Sequence, residues 1–385
     1  MDNISIIQKK CFGCRSCEQV CPKRCISIKP SKEGFLYPVV DEEACVHCGL
    51  CLKACPTEQV KIHRNKPQSV YAFRNDNSED IMRSASGGAA DVAASAVLEQ
   101  NGVVYGAAYD DDFVVRHIEV TDEIGKKKIQ SSKYVQSNIN DCYSKAKAAL
   151  SSGKKVLFTG TPCQIAGLYA FLGGDNPDLY TLDLICHGVP SPKFFEKYLA
   201  YQKNKMNGDI LYYNFRSKDK RGWGTQYLIK TKTKAKTKTK ILALDRYGKH
   251  FMDSDCYRES CYQCPYANVD RVADITVGDF WGIAKSHPAF DSPKGVSSVF
   301  INTEKGQHLF EQMKRFAEVE QATLEEGMVK QGNLVRPSGR PDQRDNFYEK
   351  IDENDFMETL RVGLEPKERI KSVLPAVVIR FLKKL

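Results

Sequence analysis

The amino-acid sequence predicts a small α+β module at the N-terminus, followed by a larger α/β body whose sheet is parallel or mixed. Two observations lead to this prediction. Cysteines recur at short, regular spacing through residues 11–56, and from Tyr71 onward strand-like segments alternate with helical ones. Such alternation is typical of sheets that are covered by helices. In a chain of 385 residues we expect domains at 1–66, 70–190 and 191–330, and a tail with a C-terminal helix at 331–385.

Two copies of one cysteine run open the chain, and the second follows the first at an offset of 34 residues. Each run reads Cys-x-x-Cys-x-x-Cys-x-x-x-Cys-Pro, the pattern of bacterial ferredoxins, in which three cysteines of one run and the fourth of the other hold each [4Fe-4S] cluster. Zinc knuckles and disulfides are the alternatives, but zinc gains nothing from the third cysteine or the trailing proline. The module is therefore predicted to be ferredoxin-like and to carry electrons. We assign cluster I to Cys11, Cys14, Cys17 and Cys55, and cluster II to Cys45, Cys48, Cys51 and Cys21.

Composition is that of an ordinary globular protein. Hydrophobic residues make up 42% of the sequence and charged residues 27%, as in most soluble domains. The fifteen cysteines would suit a secreted disulfide protein, but no signal peptide opens the sequence and no apolar run approaches the length of a membrane span. We expect a cytoplasmic protein without a transmembrane segment, because a reducing compartment suits thiolate clusters.

Most of the net charge of +9 comes from one segment. Residues 230–240 alternate lysine with threonine or alanine and contribute six lysines. A period of two predicts an exposed edge strand or hairpin with lysine on one face. Because no aromatic residues interleave the lysines, we expect no nucleic-acid partner. The basic, apolar residues 373–385 predict a final helix, with peripheral contact to a membrane surface as the alternative.

The clearest supersecondary unit precedes Cys186. A strand, a tight loop, a helix and a second apolar strand predict a right-handed β-α-β unit with parallel strands, at residues 155–159, 160–163, 164–172 and 179–185. Cys163 and Cys186 each follow the carboxyl end of one of these strands. We therefore expect both thiols on the same rim of the sheet, where open α/β sheets place their sites.

These rim thiols suggest a third four-thiolate site together with Cys261 and Cys264. The pair Cys261-x-x-Cys264 alone is compatible with zinc, with a redox pair or with half of an iron–sulfur site. Cys163 and Cys186 would complete a set of four ligands. The alternative is that all four thiols are buried and inert.

Two short loops have the form of phosphate sites. Ser86-Gly87-Gly88 and Gly160-Thr161 each precede a predicted helix, whose first N–H groups and dipole favour an anion. Ser86 is the predicted N-cap of its helix. A simple turn is the alternative for both loops. Neither a Gly-x-Gly-x-x-Gly fingerprint nor a P-loop occurs in the sequence, which argues against a standard nucleotide site.

The body resembles the beta-subunit family of coenzyme F420 hydrogenase and dehydrogenase over residues 71–316. The resemblance rests on six blocks in the family's order: Ser84-Ala-Ser-Gly-Gly88, Ser132-Lys-Tyr-Val-Gln136, Thr159-Gly-Thr-Pro-Cys-Gln-Ile-Ala-Gly167, Leu184-Ile-Cys-His-Gly188, Cys261-x-x-Cys264 and Ala273-Asp-Ile-Thr-Val-Gly-Asp-Phe-Trp281. The Thr-Gly-Thr-Pro-Cys-Gln block and the block that ends in Gly-Asp-Phe-Trp are the specific ones. The two N-terminal cysteine runs look like the ferredoxin-fused version of this family.

The resemblance implies an FAD-binding α/β protein with a third [4Fe-4S] cluster beside the flavin, held by Cys163, Cys186, Cys261 and Cys264. Three further cysteines match no family position, and we interpret them as ordinary thiols: Cys25, Cys142 and Cys256. Flavin contacts are expected at ten residues: Ser86, Gly87, Gly88, Ser132, Lys133, Tyr134, Gly160, Thr161, Gly278 and Asp279. Lys133 and His187 are the candidates for a catalytic role.

The resulting hypothesis is an iron–sulfur flavoprotein oxidoreductase. It would pass electrons between [4Fe-4S] clusters and FAD, to or from coenzyme F420 or another small organic acceptor or donor. A redox partner protein or ferredoxin is the expected partner. The main alternative is an electron-transfer subunit that connects a partner enzyme to ferredoxin without substrate chemistry of its own. A zinc-bearing nucleic-acid binder is a third alternative, and it rests on the lysine run alone.

Overall fold

The N-terminal module consists of short helices around one β-hairpin. The computed structural model describes residues 2–57, 62–219, 222–233, 236–242, 245–352 and 356–363. A 3-10 segment at Ile4–Lys10 precedes the regular elements of the module, which are α1 (Ser16–Val20), β1 (Ile26–Pro30), β2 (Leu36–Val40) and α2 (Leu50–Lys53). Strands β1 and β2 pair antiparallel. Buried isoleucines pack among the cysteines of this module, so the module is the expected ferredoxin-like α+β unit.

The body is built on one mixed sheet of eight strands. The described residues beyond the module contain eleven further strands: β3 (Ser69–Asn75), β4 (Val103–Tyr109), β5 (Val115–Val120), β6 (Val156–Gly160), β7 (Leu179–Leu184), β8 (Asp209–Asn214), β9 (Tyr227–Lys232), β10 (Thr237–Leu242), β11 (Ile275–Asp279), β12 (Ser297–Ile301) and β13 (Ala317–Ala322). The large sheet has the order β13-β3-β12-β11-β7-β6-β4-β5. Its four central strands, β4, β6, β7 and β11, run parallel, and the outer strands are antiparallel. The mixed sheet confirms the predicted fold class.

Helices cover both faces of this sheet. The helices in the described part of the body are α3 (Ser78–Arg83), α4 (Ala89–Leu98), α5 (Glu123–Ile129), α6 (Cys142–Ser151), α7 (Pro162–Leu172), α8 (Pro192–Met206), α9 (Arg246–Met252), α10 (Ile283–Ser286), α11 (Glu304–Met313), α12 (Leu324–Met328), α13 (Arg344–Glu349) and α14 (Phe356–Arg361). Apolar residues of α4 and α11 share one core cluster, and those of α6 and α7 share another. The buried central strands read as nearly continuous apolar runs, as expected for parallel strands covered on both faces.

The β-α-β unit is confirmed, because β6 and β7 are parallel neighbours joined by α7. The helix begins at Pro162, two residues before its predicted start. Proline suits the first turn of a helix because its missing N–H has no intrahelical partner there. Cys163 therefore belongs to the first turn of α7 and not to the preceding loop.

The predicted N-cap at Ser86 is wrong. Helix α4 begins after Gly88, whose φ of 87° is the left-handed conformation that glycine adopts readily. The Ser86 hydroxyl instead donates to the backbone oxygen of Val296 at 2.8 Å. The glycine geometry displaces the cap by two residues and leaves the start of α4 without a side-chain cap.

The lysine run lies on a separate three-stranded antiparallel sheet of order β10-β9-β8. It spans the β9–β10 hairpin, with β10 at the sheet edge. Lys230 and Lys232 are exposed and Thr231 between them is fully buried. On β10, lysine and threonine are exposed alike at residues 236–240, so the alternation holds only on β9. The antiparallel pairing of β9 with β10 at the sheet edge confirms the predicted edge hairpin.

Residues 62–69, at the junction of the predicted module and body, are attached to the body. The backbone of Asn65 pairs with that of Arg271, and β3 begins at Ser69. The large sheet takes strands from both sides of the predicted boundary at residue 190, and that boundary stays a prediction. None of the described helices is long and apolar enough to span a bilayer. The predicted C-terminal helix at 373–385 lies outside the described residues.

Candidate functional site

Two small cavities in the module gather its cysteines into the predicted crossed sets. One cavity is lined by Cys11, Cys14, Cys17 and Cys55. The other is lined by Cys21, Cys45, Cys48 and Cys51. Each set thus combines three cysteines of one run with the fourth cysteine of the other. This exchange follows from α1 and α2, which pack side by side and begin within the two runs.

The chemistry of these thiols suits the binding of a positively charged metal core. Burial and the charge of neighbouring Cys55 raise the pKa of Cys14 well above its usual value. Burial and the neighbouring thiols act in the same direction on the pKa of Cys17. Several thiolates brought together out of water repel one another, and a bound metal centre removes that penalty and deprotonates them.

The spacing of the thiols favours a cluster over a single ion. A tetrahedral zinc with Zn–S bonds of about 2.3 Å would hold its sulfurs about 3.8 Å apart. In the described part of the chain, the one group of three metal-binding side chains with ligand atoms within 4.8 Å of one another is Glu42, Cys45 and His47. No three described cysteines are that close, so the spacing within each set fits a centre larger than a single ion.

A fifth thiol, that of Cys25, lines the second cavity. Sequence reasoning missed this position and interpreted Cys25 as an ordinary thiol. The Sγ of Cys25 lies 3.4 Å from the Sγ of Cys21. Burial raises the pKa of Cys25 to about 12, with a further contribution from its hydrogen bond to Cys21. Cys25 stands just before β1, outside both cysteine runs, and its offset of four residues from Cys21 was the available signal.

The four thiols of the predicted third site lie around one rim of the large sheet. Cys163 is in the first turn of α7, and Cys186 follows the end of β7. The other two belong to a 3-10 segment at Glu259–Gln263 and its C-cap, Cys264. Backbone pairing of Pro190 with Tyr257 holds this segment against the strand end. The rim predicted from the β-α-β unit therefore gathers all four cysteines.

Electrostatic interactions show that these four thiols are neighbours. Burial raises the pKa of Cys163 to about 12, and the nearby charges of Cys264 and Cys261 add to the rise. Burial also raises the pKa of Cys186 far above its usual value, with Cys261, Cys163 and Cys264 acting in the same direction. A set of four mutually repelling, half-buried thiols fits a metal cluster for the same reason as the two sets in the module.

A cavity of about 300 Å³ opens beside the third thiol set. It lies at the carboxyl ends of the parallel strands, where Gly160, Leu184 and Gly278 contribute to its wall. Nine of the ten predicted flavin contacts line it: Ser86, Gly88, Ser132, Lys133, Tyr134, Gly160, Thr161, Gly278 and Asp279. His187 and Cys186 line it as well. One cavity thus collects residues that are almost 200 positions apart in the sequence.

Gly87 lies outside this lining. A Cβ at this position would stand 2.1 Å from the Phe73 backbone oxygen and 2.5 Å from the Ser297 nitrogen. Glycine is required here because β3 and β12 both lie so close to the backbone of Gly87 that a side chain has no room. We therefore interpret Gly87 as a packing residue that holds the neighbouring Ser86 and Gly88 in the cavity wall.

The two predicted phosphate loops differ in whether the backbone N–H groups at the start of the following helix are already hydrogen-bonded to a side chain. The cap residue Gly88 and the first three residues of α4, Ala89 through Asp91, line the cavity, and no side-chain hydrogen bond caps the helix. At the start of α7, the Thr161 N–H already donates to Gln164 Oε1 at 3.0 Å. The α4 terminus is therefore the better anion site, because uncapped N–H groups and the helix dipole both favour negative charge.

Lys133 is the central cation of the cavity. Its Nζ donates to the backbone oxygens of Lys128, Gln130 and Ser131 at 3.1, 2.7 and 3.3 Å. Burial lowers the pKa of Lys133 to about 7, so this amine gains or loses its proton near neutral pH. His117 beside it is neutral at that pH, because burial lowers its pKa to about 4.

An ion pair that sequence reasoning missed closes the wall at Asp279. Arg216 donates to both carboxylate oxygens of Asp279, at 2.9 and 2.8 Å. Trp223 Nε1 donates to the same carboxylate at 2.7 Å and stacks on Trp281 at 5.0 Å. Although burial opposes it, the Arg216 charge holds the pKa of Asp279 below its usual value. Both carboxylate oxygens of Asp279 thus accept hydrogen bonds from protein side chains. Arg216 and Trp281 also line the cavity.

Comparison with known proteins places these sites in context. Residues 153–326 match a family model that describes the C-terminal part of the coenzyme F420 hydrogenase/dehydrogenase beta subunit. Residues 10–59 match that of the 4Fe-4S dicluster domain. No curated protein matches the chain. One similar solved structure comes from a xenon derivatization of the F420-reducing [NiFe] hydrogenase complex from Methanosarcina barkeri, with 18% identity over 80% of this chain and 92% of that chain and a TM-score of 0.46. The two matches confirm the family resemblance over residues 153–326 and the dicluster module at the N-terminus; the blocks at 84–88 and 132–136 lie outside the matched ranges.

Proposed function

Because residues 153–326 belong to the coenzyme F420 hydrogenase/dehydrogenase beta-subunit family and residues 10–59 form a 4Fe-4S dicluster domain, we propose that the chain is an FAD- and iron–sulfur-dependent oxidoreductase. It passes electrons between three [4Fe-4S] clusters and FAD, to or from a small organic acceptor or donor such as coenzyme F420. Two clusters belong to the module. The third is held by Cys163, Cys186, Cys261 and Cys264.

The observation that supports this proposal best is a wall shared by the third thiol set and the cavity. Thr161 lines the cavity, and its hydroxyl lies 3.2 Å from the Sγ of Cys163. Cys186 is a member of the thiol set and lines the cavity itself. A cofactor seated in the cavity would therefore be separated from the thiol set by no more than one side chain.

The residues of the cavity have distinct parts in this function. The uncapped N-terminus of α4 suits a phosphate of the cofactor. The wall formed by Trp281, Leu184 and Ile185 excludes water from the reacting face. A bound flavin supplies the conversion between single electrons and a hydride.

Lys133 is the best candidate to hold or release the proton that accompanies such a transfer. Burial lowers the pKa of Lys133 to about 7. A proton donor works most efficiently when its pKa lies near the pH of the reaction. His187 stands at the exposed edge of the same wall, where partial desolvation lowers its pKa as well. A neutral imidazole suits hydrogen bonding to the substrate more than charge stabilisation.

A redox protein is the proposed electron partner, and its docking site is proposed near cluster II. Val46 and Leu50 stand beside the cysteines of that cluster with 56% and 38% of their surface exposed. Apolar exposure of this kind is favourable for a transient protein contact. The same feature would serve an electron-transfer subunit without substrate chemistry, so turnover has to decide between the two functions.

The deciding assay is turnover by the isolated chain under anaerobic conditions. Supplied with reduced ferredoxin, the chain should reduce coenzyme F420 or another organic acceptor, at a rate that falls when flavin is removed and recovers when FAD is added. Failure with every acceptor tried, together with stable binding to a partner enzyme, would establish the electron-transfer subunit instead.

Substitution of one ligand tests the third site separately. Cys261→Ser should lower the iron content from about twelve to about eight atoms per chain and leave the signals of the module unchanged. Cys142→Ser is the matched control, because this thiol of the body is buried and donates to the His117 backbone oxygen at 3.4 Å. Loss of the module's signals in Cys261→Ser would contradict the assignment.

A further inference from the structure

We propose that Arg258 is a buried positive charge shared by cluster I of the module and the third thiolate site of the body, and that it raises the reduction potential of both. This inference rests on the iron–sulfur sites of the proposed function. Arg258 is fully buried and lies three residues before Cys261. None of the hydrogen bonds of its side chain goes to a predicted flavin contact.

The guanidinium bridges the two parts of the molecule. Its Nε donates to the Cys11 backbone oxygen at 2.6 Å, and one terminal nitrogen donates to the Leu36 oxygen at 3.0 Å. The other terminal nitrogen donates to Gln136 Oε1 at 3.0 Å. The charge also lies 4.0 Å from the ring centroid of Tyr37. Two of its three acceptors therefore belong to the module, although Arg258 itself belongs to the body.

Arg258 differs from the other buried arginines in lacking a carboxylate. Arg216 pairs with Asp279, Arg271 pairs with Asp183, and Arg344 pairs with Glu33 and Glu259. The three hydrogen-bond acceptors of Arg258 are neutral oxygens, and no described carboxylate forms an ion pair with it. A buried charge without a counter-charge is strongly destabilising. The fold therefore requires negative charge close by.

Thiolates on both sides of the guanidinium supply that charge. Cys11 accepts a hydrogen bond from Arg258 through its own backbone oxygen. On the other side, the backbone N–H of Cys261 donates to the backbone oxygen of Arg258 at 2.9 Å. Arg258 is thus hydrogen-bonded to a ligand residue of the third site and to a ligand residue of cluster I.

A charge at this position affects reduction in a defined direction. A [4Fe-4S] cluster with four thiolates carries net negative charge, and one added electron increases it. A fixed cation stabilises the reduced form more than the oxidised form, and so raises the reduction potential. Arg258 acts on the two sites that face each other across the module–body contact. Cluster II, which has no contact with it in the described residues, stays unaffected.

The test is an EPR-monitored redox titration of the full chain, purified without oxygen. Arg258→Gln should raise the ratio of oxidised to reduced cluster about tenfold at fixed solution potential, for cluster I and for the third site, which equals a fall of about 59 mV for one electron. The cluster II potential should not move. The three signals are assigned with Cys48→Ser, which removes cluster II, and Cys261→Ser, which removes the third site.

Two further variants separate charge from structure. Arg258→Lys keeps the charge and loses the planar fork. For both sites, the ratio of oxidised to reduced cluster at fixed solution potential should therefore stay within threefold of wild type. Ser260→Ala removes the other hydrogen bond to the Cys11 oxygen, 3.0 Å long, without changing charge, and it should behave likewise. Unchanged potentials in Arg258→Gln, an equal shift of all three clusters, or a shift in Arg258→Lys as large as in Arg258→Gln would each overturn the proposal.

Failure of the proposed function gives a different result. If wild-type protein holds about eight iron atoms and shows two clusters, the third site is refuted. The Arg258 proposal is then decided by cluster I alone, whose potential should still fall in Arg258→Gln while that of cluster II stays constant.

Discussion

Cys14 of the module lies directly against Gly167 on α7. A Cβ built on this glycine would stand 2.8 Å from the Cys14 Cβ and 3.0 Å from its Sγ. Cys163 lies one turn earlier on the same helix. Tyr143 completes the contact, with its hydroxyl donating to the Gln164 backbone oxygen at 2.6 Å. One turn of α7 thus connects a cluster I cysteine with a cysteine of the third site.

Gly167→Ala should therefore loosen the contact between module and body. The added methyl group meets Cys14 and Tyr143, and overpacking of this kind costs about 1–3 kcal/mol, more than the roughly 1 kcal/mol that alanine gains over glycine in a helix. Anaerobic thermal unfolding, followed by circular dichroism, should show a lower Tm. Gly339→Ala is the control, because a Cβ there meets no atom within 4 Å. Equal Tm values for both variants would contradict the tight contact.

The crossed ligand sets predict how paired substitutions combine. Cys11 and Cys55 line the same cavity although they belong to different runs. The double variant Cys11→Ser, Cys55→Ser should therefore lose about four iron atoms, no more than either single variant. Cys11→Ser combined with Cys48→Ser affects both cavities and should lose about eight. Iron analysis of the purified variants distinguishes these results, and an eight-atom loss in the first pair would show that the sets are not crossed.

The buried amine of Lys133 predicts a pH dependence of cofactor binding. Burial lowers its pKa to about 7, so the amine is positive below that pH and neutral above it. The affinity of the flavin-free protein for FAD, an anion, should weaken as the pH rises through 7. Lys133→Met should flatten this dependence, and the exposed neighbour Lys127→Met should retain it. Fluorescence titration from pH 6 to 8 measures the effect, and an identical pH profile in Lys133→Met would disprove it.

The pair formed by Arg216 and Asp279 predicts a stability effect in the cavity wall. Asp279→Asn leaves the Arg216 guanidinium buried without its carboxylate, which costs about 3–5 kcal/mol. Because the Arg216 charge holds the pKa of Asp279 below its usual 3.8, the stabilisation is complete above that pH and is lost as the pH falls toward the folded-state value. Denaturant unfolding of Asp279→Asn, of Arg216→Met and of the double variant gives the coupling free energy between the two side chains. Additive losses would mean that the two side chains do not depend on each other.

The sequence predictions that rest on the spacing of nearby residues are the ones that the structure reproduces best. The cysteine runs predicted the module, and the unit around Cys163 predicted two parallel strands and a shared rim, because both are fixed by a short stretch of chain. The family blocks predicted nine of the residues that line the cavity. These residues come from separated segments of the chain, and spacing alone would not have brought them together.

The residues that escaped the sequence interpretation are those defined by tertiary contact. Arg216 meets Asp279 across 63 positions, and Arg258 meets Cys11 across 247. Neither lies in a recognisable motif, so no local signal marks them. The misplaced cap at Ser86 has a different cause. A glycine in the left-handed conformation at Gly88 starts the helix without a side-chain cap, and propensity rules favour serine over glycine at that position.

The most direct test of the account is the cofactor content of the wild-type chain. Purified without oxygen and assayed for iron, sulfide, zinc and flavin, it should contain about twelve iron atoms, an equal amount of sulfide and one FAD per chain. About eight iron atoms with one zinc and no flavin would contradict the third cluster and the flavin cavity, while leaving the dicluster module intact.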